Sequence, residues 1–183
     1  MLRQWISKEI ETWPGYANHY LGCGGFVVNE KNQLLVIEEK WHIHKYWKLP
    51  GGHAEPGEDI GVAVCREVRE ETGIDTEFRG IINFRHQHNY SFGCSDFYFV
   101  CLLKPTTRRI SMCRNEIARC TWMDINEFVN HPDTTDTNKY FAQTYLKMKS
   151  VGAPFIMGDP VLSPRKDCFQ LIYGPPIPKE DRK

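Results

Sequence analysis

One uninterrupted stretch, Gly52 to Ile74, constrains this chain more than any other. It reads GHAEPGEDIGVAVCREVREETGI. Pro56-Gly57 is a turn signal, since glycine accepts a positive φ. At about 100° per residue, the carboxylates of Glu67, Glu70 and Glu71 fall within one arc of roughly 100° on a helix. Gly61, Val64, Cys65 and Val68 occupy an adjoining arc suited to a core, and Arg66 and Arg69 lie away from both. Glu58 or Asp59 is placed to act near the helix start, where negative charge suits the dipole. Gly73 suits the left-handed position that ends a helix.

Three like charges at spacings of three and four repel, each pair costing about 0.2–0.5 kcal/mol on an exposed helix. A solvated acidic face partnered by Arg66 and Arg69 is the plain reading of Glu-x-x-Glu-Glu alone. The preceding glycine turn, the fixed offset to Glu58 and the Gly73 stop favour a different one. A cation among the carboxylates removes the repulsion, and carboxylate with carbonyl oxygen suits a hard ion such as Mg²⁺ or Mn²⁺.

Gly52 to Ile74 resembles a complete Nudix box at every fixed position of that motif. The resemblance extends to HYLGCGGFVVN (His19 to Asn29), to Leu34 through Glu39 and to Trp47 through Gly52. The run Phe84-Arg85, His88, Phe92-Gly93 and Ser95-Asp96, continuing to Pro105, with Glu116 through Asp124, is similar to the branch named for the fibroblast-growth-factor antisense transcript and its plant relatives. Those relatives include enzymes acting on ADP-ribose and NADH. The implied fold is α/β (α+β), a mixed β-sheet between helices with a loop–helix–loop motif. The implied reaction is metal-dependent hydrolysis of a diphosphate linking a nucleoside to another group, releasing AMP from ADP-ribose or NADH. The implied roles are Glu67, Arg66 and Glu70 in catalysis, with Gly51 (through its carbonyl), Glu67, Glu70, Glu71 and Glu116 toward the metal. Arg66 would hold Glu67, which binds metal or serves as the base. Gly52, Glu58 and Gly73 shape the motif. Arg85, His86 and His88 are the expected substrate contacts.

A chain of 183 residues is long enough for one domain with a real core. The expected organisation is an extension over 1–18, a Nudix domain over 19–150 and a proline-rich, partly flexible extension over 151–183. Leu2 to Trp13 resembles the end of a segment that precedes the domain in this branch, which implies a fragment, a short isoform or a shortened member. Lys+Arg and Asp+Glu are both 23; this neutrality argues against a broad nucleic-acid surface, leaving Lys104, Arg108 and Arg109 as a local basic rim. The expected partner is a small nucleotide, with Trp5 and Trp13 hinting at a homodimer. Seven cysteines form no paired framework and read as reduced thiols of a cytoplasmic or nuclear protein. The basic, apolar start gives a faint mitochondrial signal, and no run is long enough to span a membrane.

Leu21 to Asn29 and Gln33 to Glu38 read as strands joined in a hairpin around Glu30-Lys31-Asn32. Thr76 to Gln87, Asp96 to Leu103 and Glu116 to Met123 read as further strands, with Phe169 to Tyr173 as a short edge strand. Ile125 to Val129 reads as a helix capped by Asp124. Asn138 to Ser150 reads as a helix burying Tyr140, Phe141, Tyr145 and Leu146. Specificity is expected in loops Lys40 to Tyr46 and His86 to Cys94. His53 is a further candidate phosphate contact, Tyr90 and Phe92 candidate stacking rings, and His42-x-His44 a weak zinc signal. RNA cap or 5′-end hydrolysis and a non-catalytic nucleotide-binding regulator are the alternatives to a small-nucleotide enzyme; the intact carboxylates weigh against the regulator.

Overall fold

The computed structural model describes residues 17–162 and 169–175. The segment holding Trp5 and Trp13, and the tail from 176, lie outside the described residues. A four-stranded mixed sheet forms the centre. Its order is β3 (Gly51–His53), β1 (His19–Val27), β5 (Cys94–Pro105), β4 (Thr76–Ser91). β1 and β5 run parallel, with His19 opposite Ser95 and Val27 opposite Leu103. The other pairings are antiparallel. A second sheet pairs β2 (Gln33–Glu39) with β6 (Ile117–Asp124).

Each face of the central sheet carries its own core. On one face, Cys23, Val27, Cys101 and Leu103 pack against Ala63, Val64 and Val68 of α1 (Ile60–Thr72). On the other, Phe26 and Val100 pack with Phe128 of α2 (Ile125–Asn130) and with Phe141 and Tyr145 of α3 (Asp136–Val151). Neighbouring residues of a strand point to opposite faces, so Phe26 and Val27 serve different cores. Burial on both faces explains the continuous apolar runs at GGFVV and LLVI. The layers are those of a mixed sheet between helices.

The helix ends follow local chemistry. Asp124 caps α2 by accepting from the backbone N–H of Asn126 and Glu127 at 2.8 and 3.3 Å. Gly73 closes α1 with φ of 73°, its N–H donating to the carbonyl of Arg69. Tyr140, expected inside, is exposed, while Phe141 and Tyr145 are buried and Leu146 is half-buried.

Two further expectations are corrected. Asn29 makes the turn between β1 and β2, but the strands touch at one bridge, Val28 with Leu34, and then part into separate sheets. Both strands are covered on two sides, and a flat two-stranded hairpin leaves one face open. His86 to Cys94 is no loop: β4 runs to Ser91 and β5 starts at Cys94, so Phe92-Gly93 alone turns the chain, both with positive φ. Alternating aromatic residues carry the ladder outward, with His86 paired to Phe97. Past Val151, the described residues hold a further strand pair, of which Met157–Leu162 was not expected. β7 (Met157–Leu162) pairs with β8 (Phe169–Gly174), and Ile156 exchanges backbone hydrogen bonds with Ile81. Pro160 is accommodated because each strand of this pair is an edge.

Phe26 lies fully buried, its ring 4.7 Å from that of Tyr145. Phe26→Ala is expected to cost about 3–5 kcal/mol of stability, read from urea denaturation; a cost below 1 kcal/mol would show that α3 does not pack as described.

Candidate functional site

The site grows from one face of α1. Asp59 takes the N-cap position without a side-chain hydrogen bond. Glu58 does not cap either. Its carboxylate accepts the Glu55 N–H at 3.0 Å and the forked guanidinium of Arg66 at 2.9 and 2.8 Å. Two charge-assisted bonds in fork geometry outweigh a single capping bond. Arg66 therefore does not stay away from the carboxylates. Its remaining nitrogen reaches Glu67 at 2.9 Å and Glu70 at 3.3 Å, and it also donates to the carbonyl of His53 at 3.1 Å. Arg66 holds the Glu58 carboxyl down to about 2, helped by the Glu55 N–H. Arg69 faces outward to Asp75 at 3.3 Å.

Glu67, Glu70 and Glu71 meet three environments. Glu70 is exposed. Glu67 is held by Arg66 and lies directly over Gly52, where an added Cβ would stand 2.7 Å from its carboxylate; any larger residue displaces it. Glu71 is buried and accepts the Gly51 N–H at 2.7 Å. Burial pushes its carboxyl up to about 7, against the pull of Lys48 and the Gly51 N–H, with Glu67 and Glu39 adding repulsion. A buried acid beside other carboxylates is the environment that a divalent cation relieves, and the oxygen donors fit a hard one. Among the described residues no three side chains form a ready-made cage.

Glu116 stands on an exposed loop sewn to the end of α1: Cys113 donates to the carbonyl of Glu71 at 2.9 Å, and Ser111 to that of Thr72 at 2.8 Å. Lys48 and Glu39, which spacing did not single out, form an ion pair beside Glu71. They are brought together by the backbone bonds between Ile37 and Lys48.

The three expected substrate contacts are not brought together. Arg85 faces the α3 side, bonded to buried Asp96 at 2.7 Å and lying over the Tyr98 ring. His86 and His88 point to the opposite face. His86 stacks on Phe97 and approaches a ring nitrogen of His19 at 3.0 Å, and His88 meets the Ser95 hydroxyl at 3.0 Å. His53 packs in a triangle with Tyr20 and Tyr90, while Phe92 is solvent-exposed at its turn. His42 contacts the Tyr46 hydroxyl at 3.2 Å, and Arg108 of the basic rim is paired with Glu30 at 2.8 Å. Asp96, to which the sequence assigned no partner, is the anchor of Arg85. A cavity of about 470 Å³ opens from the Glu39–Lys48 pair toward α3, lined also by His42, Arg85, Tyr90 and Asn138. That volume lies within the range of small-molecule sites.

A family model described as the NUDIX domain matches residues 19–145. Nucleoside diphosphate-linked moiety X motif 6 of Homo sapiens is 40% identical over 148 residues, covering 79% of this chain and 47% of that protein. Nudix hydrolase 2 of Arabidopsis thaliana is 44% identical over 135 residues, covering 72% and 49%. The chain thus spans about half the length of these curated relatives. Among solved structures, a NUDIX hydrolase from Nitrosomonas europaea superposes with a TM-score of 0.63 at 17% identity, covering 77% of each chain. This likeness speaks for the fold.

The Arg66–Glu58 pair has a pH signature. The Glu58 carboxyl falls from 4.5 to about 2, so its contribution is complete above about 4.5 and is lost as pH falls through about 2. In EDTA, Glu58→Gln is expected to melt below wild type at pH 7, with the gap closing between pH 4.5 and 2. A gap that stays constant over that window contradicts the assignment.

Proposed function

The chain belongs to the Nudix family, and from that premise we propose that it hydrolyses the diphosphate linkage of a nucleoside diphosphate joined to a second moiety, with ADP-ribose or NADH as substrate and AMP as product. The observation that carries this reading is the carboxylate face of α1, with Glu67 fixed over Gly52 by Arg66 and Glu71 buried beside the Glu39–Lys48 pair that lines a cavity.

In this reading Glu70, Glu71 and the Gly51 carbonyl would hold Mg²⁺ or Mn²⁺, with Glu116 as a further oxygen from its loop, leaving Glu67 as the base. Such an ion, when bound, would supply charge neutralisation on the diphosphate and lower the cost of ionising a water. The residues do the rest. Glu67 takes the proton of the attacking water, whose oxygen bonds to one phosphorus while the bridging P–O bond breaks and its electrons leave with the departing phosphate. Arg66 keeps Glu67 aimed, as positioning is most of what such a substitution needs. Lys48 faces the phosphates from the cavity side, and Arg85 reaches the group beyond them. His86 and His88, on the other face, then serve only a substrate long enough to pass the edge of the sheet.

Glu67→Gln is expected to lower kcat by about 10²–10⁴-fold with binding of substrate largely kept. Glu70→Gln is expected to abolish Mg²⁺-dependent turnover and to recover in part at high Mn²⁺. Both are read by AMP release, across a panel containing ADP-ribose, NADH, capped RNA and other nucleoside diphosphate derivatives. If no member of the panel is cleaved by wild type faster than by Glu70→Gln, the enzymatic reading fails.

A further inference from the structure

Glu116 is the one carboxylate of the proposed metal site that lies off α1. It is exposed, and among the described residues its carboxylate makes no hydrogen bond or ion pair. Where it can reach therefore depends on how its loop is held. One side of that loop is sewn to the end of α1 through Cys113 and Ser111. The other side is held by two consecutive residues, Lys40 and Trp41. The Lys40 N–H donates to the carbonyl of Glu116 at 2.7 Å. The Lys40 ammonium donates to the carbonyl of Arg114 at 3.0 Å, and the indole Nε1–H of Trp41 to that of Asn115 at 2.8 Å. Three successive carbonyls of the loop thus accept from one dipeptide. The backbone bond only continues the β2–β6 ladder past Glu39 and Ile117. The ladder does not require the two side-chain bonds. Burial does not require them either: Trp41 is 78% exposed, so removal of apolar surface from water does not set its ring there. The Lys40 ammonium lies 5.1 Å from the centre of the Trp41 ring, an attraction that keeps the two donors together.

We propose that Lys40-Trp41 is a clasp that holds the Glu116 loop against the end of α1, and that Trp41 is a positioning residue for metal binding. Groups that hold a ligating side chain from behind orient it and set its affinity for the ion. A carboxylate on a loose loop loses conformational freedom when it meets a cation, and a loop fixed beforehand has less to lose. Trp41 acts in this way through the backbone of Glu116 and touches neither ion nor substrate. The inference rests on the proposed function in one respect, Glu116 as an oxygen donor to the ion; it requires no hydrolysis.

The test is Mn²⁺ binding to the full chain without substrate, followed by the electron paramagnetic resonance signal of the free ion. Trp41→Phe keeps a ring and loses the N–H. It is expected to weaken Mn²⁺ binding about three- to tenfold, with melting in EDTA unchanged. In a Glu116→Gln background, itself weaker than wild type, the same substitution is expected to change nothing further, because a positioning residue acts only through the group it positions. Ile43→Ala alters the same loop at a residue 91% exposed and is expected to bind Mn²⁺ as wild type does. Full affinity in Trp41→Phe overturns the proposal. So does an equal loss in the Glu116→Gln background, an equal loss in Ile43→Ala, or wild-type affinity in Glu116→Gln. Should Trp41→Phe melt well below wild type in EDTA, Lys40→Met, which removes the bond to Arg114, takes its place in the same cycle with the same outcomes. AMP release keeps the two readings apart. The expected cycle in a chain that cleaves no member of the panel sinks the proposed hydrolysis alone, and turnover with full affinity in Trp41→Phe sinks the clasp alone.

Discussion

The guanidinium of Arg66 is the interaction on which the rest of the site depends. It bonds two acidic side chains, approaches a third at 3.3 Å and donates to one backbone carbonyl, spanning the turn before α1, the body of α1 and β3. Carboxylates crowded on one helix face repel, and a helix has no intrinsic reason to hold them in register. A fixed cation among them provides that reason before any metal is present. The arrangement is also exposed to loss, because removing one member of a partly buried ionic set leaves the others uncompensated. Glu58 illustrates this: it touches no reacting group, yet it takes both arms of the fork that leave Arg66 one nitrogen to spend on Glu67.

The central sheet divides the work between its faces. Its α1 face carries the helix with the carboxylates, and its α3 face borders the cavity that opens from the Glu39–Lys48 pair. The two are joined at the β3 edge, where the Gly51 N–H bonds Glu71, and through Lys48 and Glu39. Strand alternation makes the division strict. Arg85 and His86 are neighbours in sequence, but Arg85 lies on Tyr98 while His86 stacks on Phe97. Short-range proximity along β4 therefore says little about which side chains share a ligand.

Much of the site was legible because its information is local. The turn at Pro56-Gly57, the spacing of Glu67, Glu70 and Glu71 and the stop at Gly73 all act within about twenty residues, where helix geometry converts spacing into position. Long-range partners were not legible. Asp96 as the anchor of Arg85, Lys48 with Glu39 and the cavity walls of α3 arise from strand pairing, which sequence pattern does not encode. The β1–β2 hairpin failed for the same reason: a tight turn is a local fact, whereas which strand becomes its neighbour is decided by burial on two faces. Met157 to Leu162 was hidden by Pro160, whose strand-breaking tendency holds inside a sheet but not at its edge.

The parallel pairing of β1 with β5 has a consequence for how the chain must be made. Sequential strands of a hairpin can associate as soon as both exist. Here β1 waits for β5, because His19 finds its partner only at Ser95 and Val27 only at Leu103, with α1 and the whole of β4 in between. Closing so large a loop before any reward is slow. During synthesis the GGFVV strand leaves the ribosome with both of its faces apolar and one edge unfilled until β5 follows. Until β5 arrives, that open edge and those apolar faces are what the unfinished chain must keep from pairing with other copies.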